Sequence, residues 1–331
     1  MQFKFPHPYS ALSPKYKYLK ALIAMFGIFF SILIGQSTYA EPLKVGTNVW
    51  PGYEPFYMAK ELGYYDDDIH LVEFTSATQV LQAFRNGTIH VAALTLDEVL
   101  LLAQHNLNPN VILINDISHG GDVILSKPEI TSVQELKGKR VGVESMALGA
   151  FVLTRALQIH DTPISEIEIV SMDVIEHTQA FKDYNVDAVV TFEPTRSILL
   201  AQGAKQIFDS TQIPGEIVDV TIINDNNWKK FQPQLQTLKE GWFKALQQIS
   251  ENPDSSAKIM SKRLKISPAE VTASFEGLLL PSKEENVRLL SGNSAPLKIT
   301  MKKLADTMIN AGLLQRYDES KNILNPSLVS K

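Results

Sequence analysis

Acidic and aromatic side chains stand at four places where an apolar, strand-like run of the sequence passes into a helix. These places are Asn48–Tyr53, Thr95–Asp97, Glu144–Met146 and Thr191–Pro194. Each can present backbone N–H groups at a helix start, beside a side chain that hydrogen-bonds or stacks. In open α/β sheets, ligands bind outside the C-terminal ends of the strands. The pattern therefore predicts a small-molecule site built from several strand ends.

The motifs of catalysis and of metal binding are missing from the sequence. There is no cysteine, no two of the seven histidines lie three or four residues apart, and there is no H-E-x-x-H. Ser145 lies in Val-Glu-Ser-Met-Ala rather than in the G-x-S-x-G of a nucleophile elbow. Neither a dinucleotide-binding nor a Walker glycine pattern is present. We predict no catalytic residues, no metal and no cofactor, and we place the histidines on the surface.

The elements that position the strand ends alternate along the first two thirds of the chain. Helix starts are marked by capping boxes at Ser76/Gln79, Thr95/Glu98 and Ser132/Glu135. Strands are predicted at 43–47, 69–74, 89–95, 110–116, 140–143, 167–172 and 186–194. Helices are predicted between them, at 54–62, 76–87, 95–106 and about 147–160. This alternation predicts an α/β protein with mostly parallel sheets flanked by helices.

The last third of the chain is predicted to be helical. From Trp228 to Ile249, apolar residues recur at steps of three or four and form one stripe on a helix. Trp228 and Trp242 belong to this stripe, so we predict that both lie in the core. Further helices are expected near 255–263, 268–276, 283–290 and 297–312.

Residues 1–40 have the order of a secretory signal peptide. Their only charged side chains are four lysines, and the apolar run 21–35 is shorter than the roughly 20 residues of a membrane span. Thr38 and Ala40 suit a cleavage site, so we expect a cut after Ala40 and a periplasmic mature protein; an uncleaved anchor is the alternative. Cleavage removes the four lysines and shifts the net charge from −5 to −9. That charge argues against a nucleic-acid partner.

Four sequence segments, in a fixed order along the chain, resemble those of a known family. They are LKVGTNVWPGYEPFYMAKELGYY, AFRNGTIHVAALT, SVQELKGKRVGVE and VDAVVTFEP. Together they resemble the periplasmic solute-binding proteins of the nitrate/sulfonate/taurine and thiamine-pyrimidine-precursor type, over residues 43 to about 315. The resemblance implies a two-lobed periplasmic-binding-protein type II fold. The chain would cross between lobes near 121–127 and 216–223, with lobe one at 43–123 plus 220–331 and lobe two at 124–219.

The resemblance also implies a function. The protein would capture a small solute between its lobes and deliver it to the membrane permease of an ABC importer, acting as a monomer. Signalling to a membrane sensor is the alternative. A less favoured alternative is an enzyme on the same fold, of the thiamine-pyrimidine or menaquinone pathways. The pyrimidine-forming relatives depend on a cysteine-rich motif, and this chain has no cysteine.

The loop after the first strand would then face the cleft, with Trp50 and Tyr53 as an aromatic wall for the ligand. The predicted ligand-binding residues are Asn48, Trp50, Tyr53, Thr95, Asp97, Asp122, Glu144, Ser145, Phe192 and Glu193. For three of the acids in this region a structural role is equally open. Asp97 is favoured at a helix start by the helix dipole, and Asp122 and Asp219 lie on the expected crossings.

The predicted site contains several carboxylates, and no arginine or lysine stands at the four strand ends. Carboxylates repel a sulfonate or nitrate at short range, each by about 1 kcal/mol or more. A cation would instead gain roughly 0.5–2 kcal/mol by stacking on Trp50. We therefore expect a nitrogen-containing or cationic ligand, although helix N-termini can bind anions without side-chain help.

Overall fold

The computed structural model describes residues 1–2, 41–105, 107–144, 148–292 and 295–330. Most of the predicted signal peptide, 3–40, lies outside the described residues, and so does Ser145. The chain divides into two units, Met1–Glu41 and Pro42–Lys331, and everything below concerns the second. Along the described residues, no helix combines the length and the apolarity that crossing a membrane requires.

The first sheet has the strand order β11-β4-β10-β3-β1-β2. β1 pairs in parallel with both β2 and β3, whereas β10 lies antiparallel between β3 and β4. The short β11 pairs antiparallel with β4 at the edge. Its strands are β1 (Leu43–Thr47), β2 (Ile69–Glu73), β3 (Val91–Thr95), β4 (Pro109–Ser118), β10 (Val218–Asn224) and β11 (Leu278–Leu279).

The second sheet has the strand order β7-β6-β8-β5-β9. β6 pairs in parallel with β7 and β8, and β5 lies antiparallel between β8 and β9. Its strands are β5 (Val123–Ser126), β6 (Arg140–Val143), β7 (Glu168–Ser171), β8 (Ala188–Thr191) and β9 (Lys205–Asp209). The interior strands that run antiparallel to both neighbours are β10 and β4 in the first sheet and β5 in the second.

Helices connect the strands and form the C-terminal third, as the sequence predicts. Of the predicted capping boxes, the one at Thr95/Glu98 forms, and at Ser76/Gln79 the serine hydroxyl accepts the Gln79 N–H. The box at Ser132/Glu135 does not form, because Ser132 makes no side-chain cap hydrogen bond and Glu135 accepts from Thr131 instead. A capping box that was not predicted forms at Ser282/Glu285, at the start of a C-terminal helix. The helices are α1 (Glu54–Glu61), α2 (Ala77–Arg85), α3 (Leu96–Gln104), α4 (Leu148–Ile159), α5 (Val174–Lys182), α6 (Thr195–Leu200), α7 (Asp225–Trp228), α8 (Gln232–Glu251), α9 (Pro253–Leu264), α10 (Pro268–Glu276), α11 (Lys283–Leu290) and α12 (Pro296–Asn310). The predicted α/β fold with two sheets flanked by helices is confirmed. Both sheets are mixed rather than mostly parallel, since only the pairs β1–β2, β1–β3, β6–β7 and β6–β8 are parallel.

The apolar stripe of α8 packs into the main core. Leu235, Leu238 and Trp242 are buried, and the Trp242 ring lies 4.5 Å from that of Phe56 in α1. Trp228 is half-buried against the same core. The helical periodicity therefore predicted the core position of Trp242 correctly, because a stripe at steps of three and four faces a single neighbour.

The chain passes between the sheets through two short segments. It leaves the first sheet after Ser118 and enters the second at Val123, and it returns between Gln212 and Val218. The Ser210 hydroxyl ties these segments together, since it bonds to the Ser118 hydroxyl at 2.8 Å and accepts from the Gly120 N–H at 2.6 Å. The crossings expected from sequence, 121–127 and 216–223, overlap these segments but also include residues of β5 and β10. The exact lobe boundaries stay a prediction.

Two histidines correct the expectation that this residue type lies on the surface. His90 is buried: its ring stacks on Phe231 at 4.3 Å and its Nδ1 accepts from the Lys44 N–H. His177, in α5, is fully buried, and desolvation lowers its pKa to about 4. A neutral imidazole is amphipathic, so these two rings can serve as core side chains.

Candidate ligand-binding cleft

A cavity lies between the two sheets, at the ends of several strands. The space open to the centre of a water molecule is about 40 Å³, room for a few waters. The cavity is lined by Asn48, Trp50, Tyr53, Ala77, Thr95, Glu98, Asp122, Glu144, Leu148, Gly149, Val152, Val174, Val190, Thr191, Phe192 and Asp219. None of these lining residues, all within the described chain, is Lys, Arg or His. The polar part of the lining is therefore acidic or neutral.

The loop after β1 is fixed by two hydrogen bonds to carboxylates. The Trp50 indole Nε1–H donates to Asp116 Oδ2 at 3.1 Å, and the Tyr53 hydroxyl donates to Asp219 Oδ1 at 2.5 Å. A Cβ on Gly52 would collide with both the Asp116 carboxylate and the Trp50 indole nitrogen. The glycine is needed so that the backbone can pass this close to the pair. Trp50 and Tyr53 are thus core side chains that also face the cavity.

An aromatic contact spans the cavity. Phe192 follows β8 of the second sheet, and Trp50 follows β1 of the first. Their rings meet edge to face, with centroids 5.2 Å apart and planes at 89°. This is a preferred aromatic geometry, so the two lobes share one aromatic wall.

Strand register brings three acidic or hydroxyl residues to one point of the first sheet. Asp219 of β10 lies opposite Thr95 of β3 on one side and opposite Asp116 of β4 on the other. Directly opposed residues of antiparallel strands lie about 4.5–5.5 Å apart at Cα. Asp122 approaches the same region from the first crossing. Antiparallel pairing of β10 therefore creates a cluster of carboxyl groups that are far apart in sequence.

Burial strongly perturbs this carboxyl cluster. Desolvation raises the pKa of Asp116 to about 8 and that of Asp122 to about 7, and it raises the pKa of Asp219 well above its ordinary value. Repulsion from Asp122 raises the pKa of Asp116 and of Asp219 further, and repulsion from Asp97 does the same for Asp122. Hydrogen bonds with Trp50, Ser118 and Tyr53 lower the pKa of Asp116, Asp122 and Asp219, respectively. Asp116 Oδ1, Asp122 Oδ2 and Asp219 Oδ2 have no hydrogen-bond partner among the described residues. Asp122 and Asp219 are lining residues, so each brings to the cavity a carboxyl oxygen that lacks a donor.

Two glutamates reach across the cleft. Glu144, which follows β6 of the second sheet, accepts the Thr78 N–H at the start of α2 at 2.7 Å. Glu98 of α3 accepts the Leu148 N–H at the start of α4 at 3.2 Å, and its other oxygen accepts the Thr95 N–H at 3.0 Å. Desolvation raises the pKa of Glu98 to about 8 and also raises that of Glu144. Each carboxyl therefore links elements associated with different sheets.

A comparison with known families identifies the chain. The family model described as NMT1/THI5 like matches residues 50–256, well over half of the sequence. The chain belongs to the NMT1/THI5-like family. The match begins at Trp50 and contains every residue that lines the cavity except Asn48.

Relatives of this NMT1/THI5-like protein include a periplasmic binding protein. The taurine-binding periplasmic protein of Escherichia coli (strain K12) is 22% identical over 239 residues, which are 71% of each chain. The alkanesulfonate-binding protein of Xanthomonas axonopodis pv. citri, solved with MOPS bound, superposes with a TM-score of 0.72 at 17% identity and covers 86% of this chain and 98% of that one. These similarities support a periplasmic-binding-protein fold.

The same fold occurs in an enzyme. The desulfurization enzyme DSZB superposes with a TM-score of 0.62 at 15% identity, covering 87% of this chain and 98% of that one. Shared architecture therefore does not separate binding proteins from enzymes, and the residues of the site must do so.

Seven of the ten predicted ligand-binding residues of this NMT1/THI5-like protein line the cavity. These are Asn48, Trp50, Tyr53, Thr95, Asp122, Glu144 and Phe192. Asp97 is buried in the first turn of α3 without lining the cavity, and burial raises its pKa to about 6. Glu193 accepts from the Ser197 N–H and hydroxyl at the start of α6, so its contacts are local. Ser145 lies outside the described residues.

The list predicted from sequence lacks several lining residues. The sequence identified Glu98 only as the second half of a capping box, and Asp219 only as a residue on an expected crossing. Both signals were present, since each is an acid next to a strand end. The apolar lining residues Leu148, Val152 and Val174 carry no such signal, because an apolar helix residue reads the same whether it faces a cavity or a core.

Proposed function

We propose that this protein is a solute-binding receptor that captures a small cationic, nitrogen-containing solute in the cleft and delivers it to the permease of an ABC importer. Family membership and the transport proteins among the relatives support the receptor role. The predicted signal peptide supports a periplasmic location. Ligand-driven closure of two lobes about their crossings is the expected mode of action.

The acidic lining of the cavity is the observation that supports a positively charged ligand. Glu98, Asp122, Glu144 and Asp219 contribute carboxyl groups to its lining, and no lining residue in the described chain is basic. An ammonium group has three N–H donors and no acceptor. The unpartnered oxygens of Asp122 and Asp219 supply the acceptors it needs. Such pairing would favour the ionised form of these two carboxyl groups and offset the desolvation that raises the pKa of each.

The aromatic wall supports the same conclusion. A cation over an indole face gains about 0.5–2 kcal/mol, more when water is excluded. Trp50 is held against the cavity by Asp116, and Phe192 packs on its edge from the other side. The two rings therefore offer a fixed apolar surface beside the carboxyl groups. This combination suits an amine that has a hydrocarbon or heterocyclic part.

An amine ligand is compatible with the relatives. Taurine carries an ammonium group as well as a sulfonate, so the solute for which that relative is named contains a primary amine. The acidic lining here favours the ammonium end, and it disfavours a solute whose only charge is a sulfonate.

A thermal-shift screen tests the proposal. The panel holds alkylamines, aminopyrimidines, amino acids, taurine, alkanesulfonates and nitrate, and it is run on the wild type, Trp50→Ala and Asp122→Asn. A solute at 100 times its Kd stabilises the native state by about 2.7 kcal/mol. We expect an amine to raise the Tm of the wild type. Trp50→Ala and Asp122→Asn should each lower the affinity for that amine at least tenfold.

The exposed Asp254→Asn serves as the matched control, because this acid lies on α9 away from the cavity lining. It should bind like the wild type. A response confined to alkanesulfonates and nitrate would overturn the cationic ligand while leaving the receptor role. No response to any solute, together with turnover of one of them, would overturn the receptor role.

A further inference from the structure

Two helix starts in the cleft are occupied by glutamates from the opposite side. The first turn of a helix has N–H groups without intrahelical partners, and the helix dipole makes this end attractive to anionic groups. At α2, the N–H of Thr78 donates to Glu144, and at α4, the N–H of Leu148 donates to Glu98. Both helices run for at least two turns, nine residues in α2 and twelve in α4.

The two contacts are reciprocal. Glu144 follows β6 of the second sheet and accepts a hydrogen bond from α2, the helix between β2 and β3 of the first sheet. Glu98 lies on α3, which follows β3 of the first sheet, and accepts a hydrogen bond from α4, which follows β6 of the second sheet. Both glutamates are buried, at 5% and 1% exposure. The same pair of lobes is therefore joined twice, in opposite senses.

Other polar atoms of the lining remain free. Thr191, Asp122 and Asp219 line the cavity, and Thr191 Oγ1 and the second oxygen of each aspartate have no hydrogen-bond partner in the described chain. The helix N–H groups are thus satisfied by the protein itself, whereas acceptor-rich positions are left for the solute. Because the helix N–H groups already have partners and the acceptor oxygens do not, one cleft can contain two helix starts and still favour a ligand rich in hydrogen-bond donors.

We infer that Glu98 and Glu144 determine specificity by occupying the N–H groups that an anionic solute group would need, and that they also link the two lobes across the cleft. The inference rests on the proposed function only in taking this cleft as the binding site. The helix N–H groups are occupied through the side-chain oxygen of each glutamate. Glutamine keeps an oxygen there and preserves the hydrogen bond, whereas alanine has none and loses it.

Lobe separation tests the linking role without any solute. Because the chain has no cysteine, Gln82→Cys on α2 and Lys182→Cys on α5, both exposed, allow spin labels to be placed on the two sides. We expect one narrow distance distribution in the otherwise wild-type protein. Glu144→Ala should broaden it and lengthen it by several ångströms, and Glu144→Gln should restore it.

Anion binding tests the specificity role. Ethanesulfonate and inorganic sulfate are titrated into the wild type, Glu144→Ala and the double variant Glu98→Ala/Glu144→Ala. We expect affinity for ethanesulfonate to rise at least tenfold in the double variant. Glu176→Ala is the matched control, because Glu176 is an exposed capping residue that accepts only from Asp173 at the start of its own helix.

Unchanged distances in Glu144→Ala would overturn the linking role, and unchanged ethanesulfonate affinity in the folded double variant would overturn the specificity role. If the double variant does not fold, the single variants Glu144→Ala and Glu144→Gln decide the matter alone. Failure of the amine screen on the wild type would count against the proposed function but would leave the label distances as a test of the linkage.

Discussion

At the scale of single residues, Asp116 is in an unfavourable position. It is completely buried, only one of its two oxygens has a hydrogen-bond partner among the described residues, and desolvation raises its pKa to about 8. What holds it there is its neighbour, since the Trp50 indole donates to the other oxygen. The pair positions the aromatic wall, so this acid contributes to the site at a cost in stability.

The pH dependence of stability should reveal this cost. An unfolded aspartate loses its proton near its ordinary pKa of 3.8, whereas folded Asp116 keeps it up to about pH 8. Its contribution to stability is therefore greatest at low pH and falls as pH rises from about 4 to about 8, by up to about 1.4 kcal/mol per pH unit. We predict that Asp116→Asn makes the fall in stability between pH 5 and pH 8 shallower, as measured by urea unfolding.

Asp187→Asn provides a control of opposite sign. Hydrogen bonds from Arg140 hold the pKa of Asp187 below its ordinary value, so its stabilisation is present above about pH 4 and is lost only on further acidification. This variant should leave the slope between pH 5 and pH 8 unchanged. An equal effect of both variants would contradict the assignment of the slope to Asp116.

At the scale of elements, the two crossing segments behave as one unit. The Ser210 hydroxyl meets the Ser118 hydroxyl and the Gly120 N–H, and the Ser210 N–H donates to the Asp122 carbonyl. Gly120 has a φ of +109°, a conformation that L side chains rarely adopt. The region of the two crossings is thus built from small residues held by a short hydrogen-bond network, next to the acidic cavity.

We predict that Ser210→Ala lowers the free energy of unfolding by about 1–3 kcal/mol, because it leaves the Gly120 N–H and the Ser118 hydroxyl without their partner. Solute affinity should fall as well, since Asp122 is positioned by the same network. Chemical unfolding and calorimetric titration measure the two effects. Ser261→Ala, which removes only a hydrogen bond to the Lys258 carbonyl within α9, should change stability by less than about 0.5 kcal/mol.

At the scale of the whole molecule, charge should affect how fast a solute arrives. The sequence carries a net charge of −5, and the lining of the cavity is acidic. A cation is attracted over the Debye length, which shrinks from about 30 Å at 0.01 M salt to about 8 Å at 0.15 M. Clefts lined by one sign of charge concentrate ligands of the other sign.

We therefore predict that the association rate of a cationic solute falls several-fold between 0.01 M and 0.15 M salt, with little change in its dissociation rate. Stopped-flow tryptophan fluorescence is suited to the measurement because Trp50 lies at the cavity. A neutral solute of similar size is the control and should show no salt dependence. An association rate that rises with salt would contradict an acidic site.

The whole molecule also shows why some expectations from sequence were incomplete. β5 and β10 were assigned to crossings, whereas each is an interior strand that runs against its neighbours. A strand that directly follows a crossing has no helix before it in the usual strand–helix–strand order. The alternation of elements that predicted the other strands therefore did not apply to these two.

The sequence by itself determined the α/β alternation, the capped helix starts, the core stripe of α8 and the positions of the strand ends. These properties are local, because capping and periodicity depend on residues within a few positions of each other. Only the tertiary structure decided which acids meet. The register of β10 places Asp219 between Thr95 and Asp116, and the approach of the lobes sets Glu98 and Glu144 on helices of the opposite side. Such pairings join residues distant in sequence, and they depend on how whole elements pack.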